Sequence, residues 1–519
     1  MPGRSAMTHS FAEVPRANIP RSSFDRGHRY LTTFDADNLV PVLVDDVVPG
    51  DTYNVNMAFF GRLATPLFPI MDNLYLESFW FFVPYRLLWN NWERMHGAQD
   101  DPADSIDFTV PRCNVVTVTT GSLYDYFGLP VNKDLDVGIT ALPFRAYYLI
   151  WNEWFRDQNL QDSVAVPLDD GPDSWSGTVF NRGKRHDYFT SCLPFPQKGD
   201  AVSLPLGNTA NIYTTTGAGG VFEIQDGQGS ANTGNIVSSN LGFNATFNSI
   251  GAGSPNVFAD LSSANTVTIN DLRLAFQTQR LLERDARSGT RFNEMILAHF
   301  GVVVPDFRVQ RPEFLGGGSS RVNITPVAQT SGQPVPAAND KLGELAAFGT
   351  VSGSHGFTKS FTEPGLVIGL VNLRGDITYS QGIERYWSKR TRYDFYYPVL
   401  SQIGEQAVLN KEIFYNNDAN DDLVFGYQER YAEMRYKPSR LTGLFAVDAT
   451  NSLSSWHLSE DFSSLPTLGS TFIESNTSAP LDRAIAIDTE PHMIFDAYID
   501  MMCARPMPLF GVPGNLDHF

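Results

Sequence analysis

The chain has 519 residues and a net charge of -19, from 38 Lys and Arg against 57 Asp and Glu. That balance excludes a global attraction to polyanions, so any contact with nucleic acid must be local. Aromatic residues make up 13% and charged residues only 18%, with 42 Gly and 32 Pro, a composition that favours strands and long loops over helices.

Length alone allows about three or four domains. No linker separates self-contained halves, so one β domain with long insertions is expected. Met1 to Tyr30 reads as a basic arm: Arg4, Arg16, Arg21, Arg26 and Arg29 stand against Glu13 and Asp25, with few apolar residues and no period. Such an arm is either a disordered terminus or a segment that touches phosphates or lies beneath neighbouring subunits. Residues 1–50 are taken as arm and lead-in, and 51–519 as the β domain.

From Tyr53 the odd positions Tyr53, Val55, Met57 and Phe59 are apolar, the period of a strand with one buried face. Leu74 to Val83 reads as a second strand, and from Phe79 (FWFFV) it is apolar on both faces. Such a strand needs two covers. One is the domain core; the other is an inserted segment or another subunit. Phe79, Phe81 and Trp92 are therefore subunit-packing candidates. Pro84 ends the strand, and Leu88, Trp92 and Met95 predict a helix over 87–96, stopped by Gly97.

Asn114 to Thr119 is a strand candidate. A helix follows from Pro143, with Phe144, Tyr147, Tyr148, Trp151 and Phe155 in an aromatic stripe. Core packing is the plain reading of that stripe; a sugar-binding role is the other.

Ala201 to Asn270 contains no Lys or Arg and is rich in Gly, Ser, Asn and Thr, interrupted by β-like pieces such as VFEI and TVTI. It reads as an exposed recognition element, with a flexible low-complexity loop as the other possibility. Asp271 to Ala286 predicts a basic helix with Leu272, Ala275, Phe276 and Leu282 on one side. Its Arg284, with Arg287 just beyond, is assigned to subunit or core packing. Ser288-Gly289 breaks it before a second helix, Phe292 to Phe300. Further strands are expected at Val302–Val304, Arg321–Ile324, Leu366–Leu373, Asp394–Val399 and His492–Met502, with loops at Gly316–Gly318 and Pro334–Pro336.

Catalytic motifs are missing: there is no GxSxG, HExxH or GxxxxGK[ST]. The nearest phosphate-loop lookalike, GSHGFTKS from Gly353, has the wrong spacing. Asp418, Asn420, Asp422 and Glu429 match positions of a calcium loop, but Leu423 stands where that loop needs Gly. No cofactor is expected. Cys113, Cys192 and Cys503 are far apart and odd in number, against a disulfide scaffold and in keeping with a reducing compartment. No run is long and apolar enough for a membrane span, and residues 1–30 lack a signal-peptide core. Export by the standard route and stable membrane insertion are not expected.

Several long stretches carry a resemblance: RSSFDRGHRYLTTFDADNLVPVLVDDVVPGDT (Arg21 to Thr52), FFVPYRLLWNNWERMHG (Phe81 to Gly97), NDLRLAFQTQRLLERDARSGTRFNEMILAHFGV (Asn270 to Val302), IGEQAVLNKEIF (Ile403 to Phe414), ERYAEMRYKPSRLTG (Glu429 to Gly443) and RPMPLFGVPGNLDHF (Arg505 to Phe519). In order and from end to end, they resemble the major capsid proteins of microviruses, the small single-stranded DNA bacteriophages, and specifically the gokushovirus branch. Ala201 to Asn270 is not covered.

The resemblance implies a mainly β protein, a single eight-stranded viral jelly roll with long insertions and a few short helices. It implies a sixty-copy T=1 shell around circular single-stranded DNA, assembled in the host bacterial cytoplasm. It also implies a small basic DNA-binding partner in the virion. Residues 201–270 would then form a threefold protrusion that meets a host receptor, with Gly219, Gln228, Asn232 and Asn244 as contact candidates. Arg4, Arg16, Arg21, Arg26 and Arg29 become the DNA-contact candidates. A carbohydrate-binding or carbohydrate-active β-sandwich is the alternative.

Overall fold

The computed structural model describes residues 20–510, except 116, 134, 201, 289–291, 304–308, 331–342, 475–476 and, between 203 and 268, everything outside short paired strands. Two compact units are present: Met1–Pro196 with Val304–Phe519, and Gln197–Val303.

The first unit is mainly β. Its early strands are β1 (Ser22–Asp25), β2 (His28–Phe34), β3 (Val40–Val47), β4 (Thr52–Leu63) and β5 (Leu74–Pro84). The later ones are β6 (Glu313–Arg321), β7 (Asn323–Ala328), β8 (Leu345–Ser360), β9 (Gly365–Gly375) and β10 (Met493–Arg505). A six-stranded sheet runs β1-β10-β4-β8-β7, with β2 also on β10; a four-stranded sheet runs β6-β5-β9-β3. All pairs are antiparallel. The two sheets enclose one core: Tyr53, Met57 and Phe495 from the first meet Trp80, Phe82 and Val367 from the second.

β4 follows the predicted alternation, with Tyr53, Val55, Met57 and Phe59 buried and the residues between them facing out. Each such side chain contributes about 1.5–3 kcal/mol on burial. β10 alternates in the same way. β9 is buried at every residue, as a strand covered on both faces must be.

Other expectations are corrected. Residues 22–34 lie in strands on β10 rather than in a free arm. Their inward positions, such as His28, Tyr30 and Thr32, are mostly polar, which hides the period. Gly316–Gly318 lies inside β6, not in a loop. A Cβ at Gly317 would sit 2.4 Å from the Ser78 carbonyl oxygen, and one at Gly318 would sit 2.3 Å from the His355 ring. These glycines admit close neighbours rather than making a turn. GSHGFTKS is the middle and end of β8, which rules out a phosphate loop.

The helix expected over 87–96 is reduced to one 3-10 turn, Tyr85–Leu87, and one helical turn, Trp92–Met95. Between them the Asn90 N–H donates to Leu168 O at 3.0 Å instead of continuing the helix. Asp394–Val399 is not a strand but parts of two 3-10 turns, Arg392–Asp394 and Pro398–Gln402. The strand near 114 is Arg112–Val115. Arg321–Ile324 straddles the junction of β6 and β7. Gly301–Val303 has no regular structure, and residue 304 lies outside the described residues, as does Pro334–Pro336.

Helix α1 (Leu142–Ile150) starts with Pro143 in its first turn and runs into a π turn, Trp151–Phe155. In the second unit, Asn211–Thr214 pairs with Val257–Asp260, and Val221–Phe222 with Phe247–Asn248. Ile224–Gln225 pairs with Ala231–Asn232, and Val237–Ser239 with Gly242–Asn244. Helices α2 (Ile269–Ser288) and α3 (Phe292–Phe300) follow, close to the predicted bounds. Among the described residues no helix is long and apolar enough to cross a membrane, and the three cysteines are buried and form no disulfide.

Candidate functional site

The apolar wall on β5 has both of its covers in this chain. Trp80 and Phe82 face the inter-sheet core. Phe81 and Val83 face a second cluster with Leu366, Ile368, Trp89 and the α1 aromatics. Phe81 is 1% exposed, with the rings of Trp154, Phe155 and Phe314 5.6, 5.9 and 5.5 Å away. The second cover is therefore an inserted segment, and Phe81 offers no surface to another subunit.

Phe79 is half-buried beneath Phe155, with the Arg182 guanidinium 4.6 Å from its ring centre. Trp92, also half-buried, sits between Tyr85 at 4.3 Å and His96 at 4.4 Å. The helical aromatic stripe is mostly core: Trp151 is 5% exposed and donates to Asn181 O. The partly exposed Trp154 donates to Pro312 O and is capped by Arg311 at 4.9 Å.

Charges are concentrated around this wall. Glu77 on β5 accepts from Arg182, from Arg185 at 3.1 Å and from Arg374 at 3.1 Å. Burial, then the charges of Arg374 and Arg185, pull the Arg182 guanidinium below its usual value, to about 9. Arg145 of α1 grips Asp173 with two bonds of 2.6 and 2.8 Å and donates to Leu88 O and Asp169 O.

The predicted contact residues fall in separate places. Arg4 and Arg16 lie outside the described residues. Arg21 donates to Gly50 O and reaches Thr52. Arg26 pairs with Asp45 at 2.5 and 2.6 Å, and Arg29 with Asp496 at 2.7 Å. Arg284 is exposed on α2 and Arg287 half-buried. Asn232 and Asn244 belong to short strands of the second unit, while Gly219 and Gln228 lie outside the described residues.

The calcium-like loop spends its carboxylates locally. Asp418 accepts from Asn416 and the Asn420 N–H, Asp421 from the Asn416 and Asp418 N–H groups, and Asp422 pairs with Lys411. Among the described residues no group of three His, Cys, Asp or Glu could hold a metal ion.

One surface was not singled out from the sequence. Between β9 and β10 the segment RYWSKRTRYDFYY (Arg385–Tyr397) carries rings into solvent: Trp387 is 70% exposed, Tyr393 65% and Phe395 54%. Lys389 lies 5.5 Å over Phe395 and Arg392 5.3 Å over Tyr397. Beside it opens a cavity of about 760 Å³, lined by Tyr386, Trp387, Lys389, Tyr436, Lys437 and Arg440 among others. Arg440, then Lys437, hold Glu384 at the cavity wall down to about 2. The alternation of rings and cations is visible in the sequence, but only the end of the stretch carries an expectation there, as part of the strand over Asp394–Val399.

The comparisons with known proteins cover nearly the whole chain. The family model described as "Capsid protein (F protein)" matches residues 12–515. The chain is 44% identical over 533 residues to "Capsid protein VP1" of Bdellovibrio phage phiMH2K, covering 98% of each. It is 41% identical over 592 residues to that of Chlamydia phage 1 and 34% over 551 to that of Spiroplasma virus 4, again covering 98% of each. By these matches the chain belongs to the phage capsid protein (F protein) family, in its gokushovirus-type microvirus branch.

Proposed function

We propose that this chain is the major subunit of a T=1 icosahedral shell that encloses circular single-stranded DNA, assembled in the cytoplasm of a bacterial host. The observation that carries the reading is the end-to-end match to capsid proteins. Strand order supports it. Counting β2, β3, β4, β5, β6, β8, β9 and β10 in turn, one sheet is ordered first-eighth-third-sixth and the other second-seventh-fourth-fifth. An eight-stranded jelly roll has this order, and that architecture recurs in viral capsids. β1 then extends one sheet edge and β7 adds to the opposite edge.

A shell subunit needs apolar surface left over for its neighbours. The outer face of the six-stranded sheet exposes Leu31, Phe60, Ile494 and Tyr498, and the charge-poor composition suits interface cores. Contacts of about 1,200–2,000 Å² each, closing under symmetry, would make a stable particle. A small basic virion protein would offset the net charge of -19 when DNA is enclosed. Residues 201–270 would serve the host contact.

The test is expression of the full chain followed by negative-stain microscopy and sedimentation. Closed particles, or capsomers that close when salt or divalent ions are changed, are expected. A chain that stays monomeric at high concentration under all those conditions would overturn the reading.

A further inference from the structure

We propose that the face formed by Arg385–Phe395, with the cavity beside it, binds unpaired bases and phosphates of single-stranded DNA. The inference rests on the shell reading and names the place where the enclosed strand meets the protein. In an acidic chain such contact has to be local, and here cations collect: Arg385, Lys389, Arg390 and Arg392 on one stretch, Arg430, Arg435, Lys437 and Arg440 on another.

Carboxylates hold part of this charge. Glu412 pairs with Arg385, Glu429 with Arg435, and Glu384 with both Lys437 and Arg440. Asp394 is occupied by the backbone N–H groups of Arg390 and Thr391. Lys389, Arg390 and Arg392 enter no ion pair among the described residues and stand beside exposed rings.

Rings open to solvent with cations between them are the combination that holds single strands: bases stack on the rings and phosphates meet the cations. A duplex keeps its bases stacked on each other and cannot use the rings. Tyr386 and Trp387 meet edge to face, 5.3 Å apart at 81°, and stay 64% and 70% exposed. The cavity of about 760 Å³ lies within the range that takes a small ligand. A contact between copies is the rival occupant of this face. Arginine and aromatic rings are enriched in such interfaces and lysine is depleted; Lys389, Arg390 and Arg392, which enter no ion pair among the described residues, would have to find carboxylates there.

The experiment uses the full purified chain and a fluorescein-labelled oligo-dT, with a matched duplex, in anisotropy titrations across a salt series. Particle yield is scored by microscopy on the same preparations. Single-stranded probe should bind more tightly than duplex. Trp387→Ala should weaken it about tenfold. The triple variant K389Q/R390Q/R392Q should lower the salt slope by about 2, near 0.7 per lost phosphate contact. Both variants should still form particles.

Variants that bind like the parent chain would overturn the proposal and leave the shell reading intact. Variants that fold but lose particles, with binding unchanged, would also overturn it, by making the face a contact between copies. A parent chain that binds as expected but never forms particles would sink the shell reading instead.

Discussion

His355 Nδ1 on β8 lies 2.8 Å from Ser78 Oγ on β5, and its Nε2 lies 3.1 Å from Ser320 Oγ on β6. One ring thus ties the six-stranded sheet to two strands of the other. A neutral imidazole satisfies both contacts, since each hydroxyl can donate or accept. Burial pulls His355 below its usual value of 6.5. The unfolded chain therefore takes up this proton first. The contribution is complete above pH 6.5 and is lost as pH falls from there towards the lower folded value. Thermal melts on acidification should show the parent chain losing stability faster than His355→Gln. Parallel curves would mean that His355 carries no such linkage.

Phe81 separates failure to fold from failure to assemble. Its ring is enclosed by the chain itself, so Phe81→Asp should cost more than about 5 kcal/mol, enough to unfold a typical domain. Phe60→Asp changes a ring that is 53% exposed on the outer sheet face, and this chain should fold. Circular dichroism and solubility decide the comparison. A soluble, folded Phe81→Asp chain would show that the cover over β5 is dispensable.

Arg145 and Asp173 are 0% and 1% exposed at the side chain. Removing one partner leaves an unpaired buried charge, at a cost of about 3–5 kcal/mol. Arg145→Met or Asp173→Asn alone should show that loss in denaturant melts, and the double variant should recover part of it. Additive losses would mean that the two groups are not coupled.

The paired strands of the second unit begin at Asn211 and end at Asp260, each with its partner inside that range. Deleting 207–260 removes them together and leaves no orphaned strand among the described residues. Particles should still form, with impaired attachment to host cells in an adsorption assay. A deletion chain that cannot fold would mean that the segment is core.

Much of the scaffold was legible because its signals are local. The alternation of β4 and β10, the aromatic stripe of α1 and the polar break at Ser288-Gly289 each state a buried face or an end within a few residues. The candidate surfaces were less legible. Only the end of the ring-and-cation segment carried an expectation, the strand over Asp394–Val399, because a local pattern shows apolar residues without showing whether anything covers them. Arg26 and Arg29 looked free because Asp45 and Asp496 are brought to them only by sheet pairing.

By itself the sequence determined that this is a β-rich, charge-poor, acidic chain without a recognisable catalytic motif, and that FWFFV needs two covers. Those follow from composition and from period, which any short window holds. Only the tertiary structure decided what the second cover is. It placed Trp154, Phe155 and Phe314 over Phe81, and the Gly318 backbone against His355. Contacts between residues far apart in the chain depend on strand register and on which sheet each strand joins, and no local pattern encodes either.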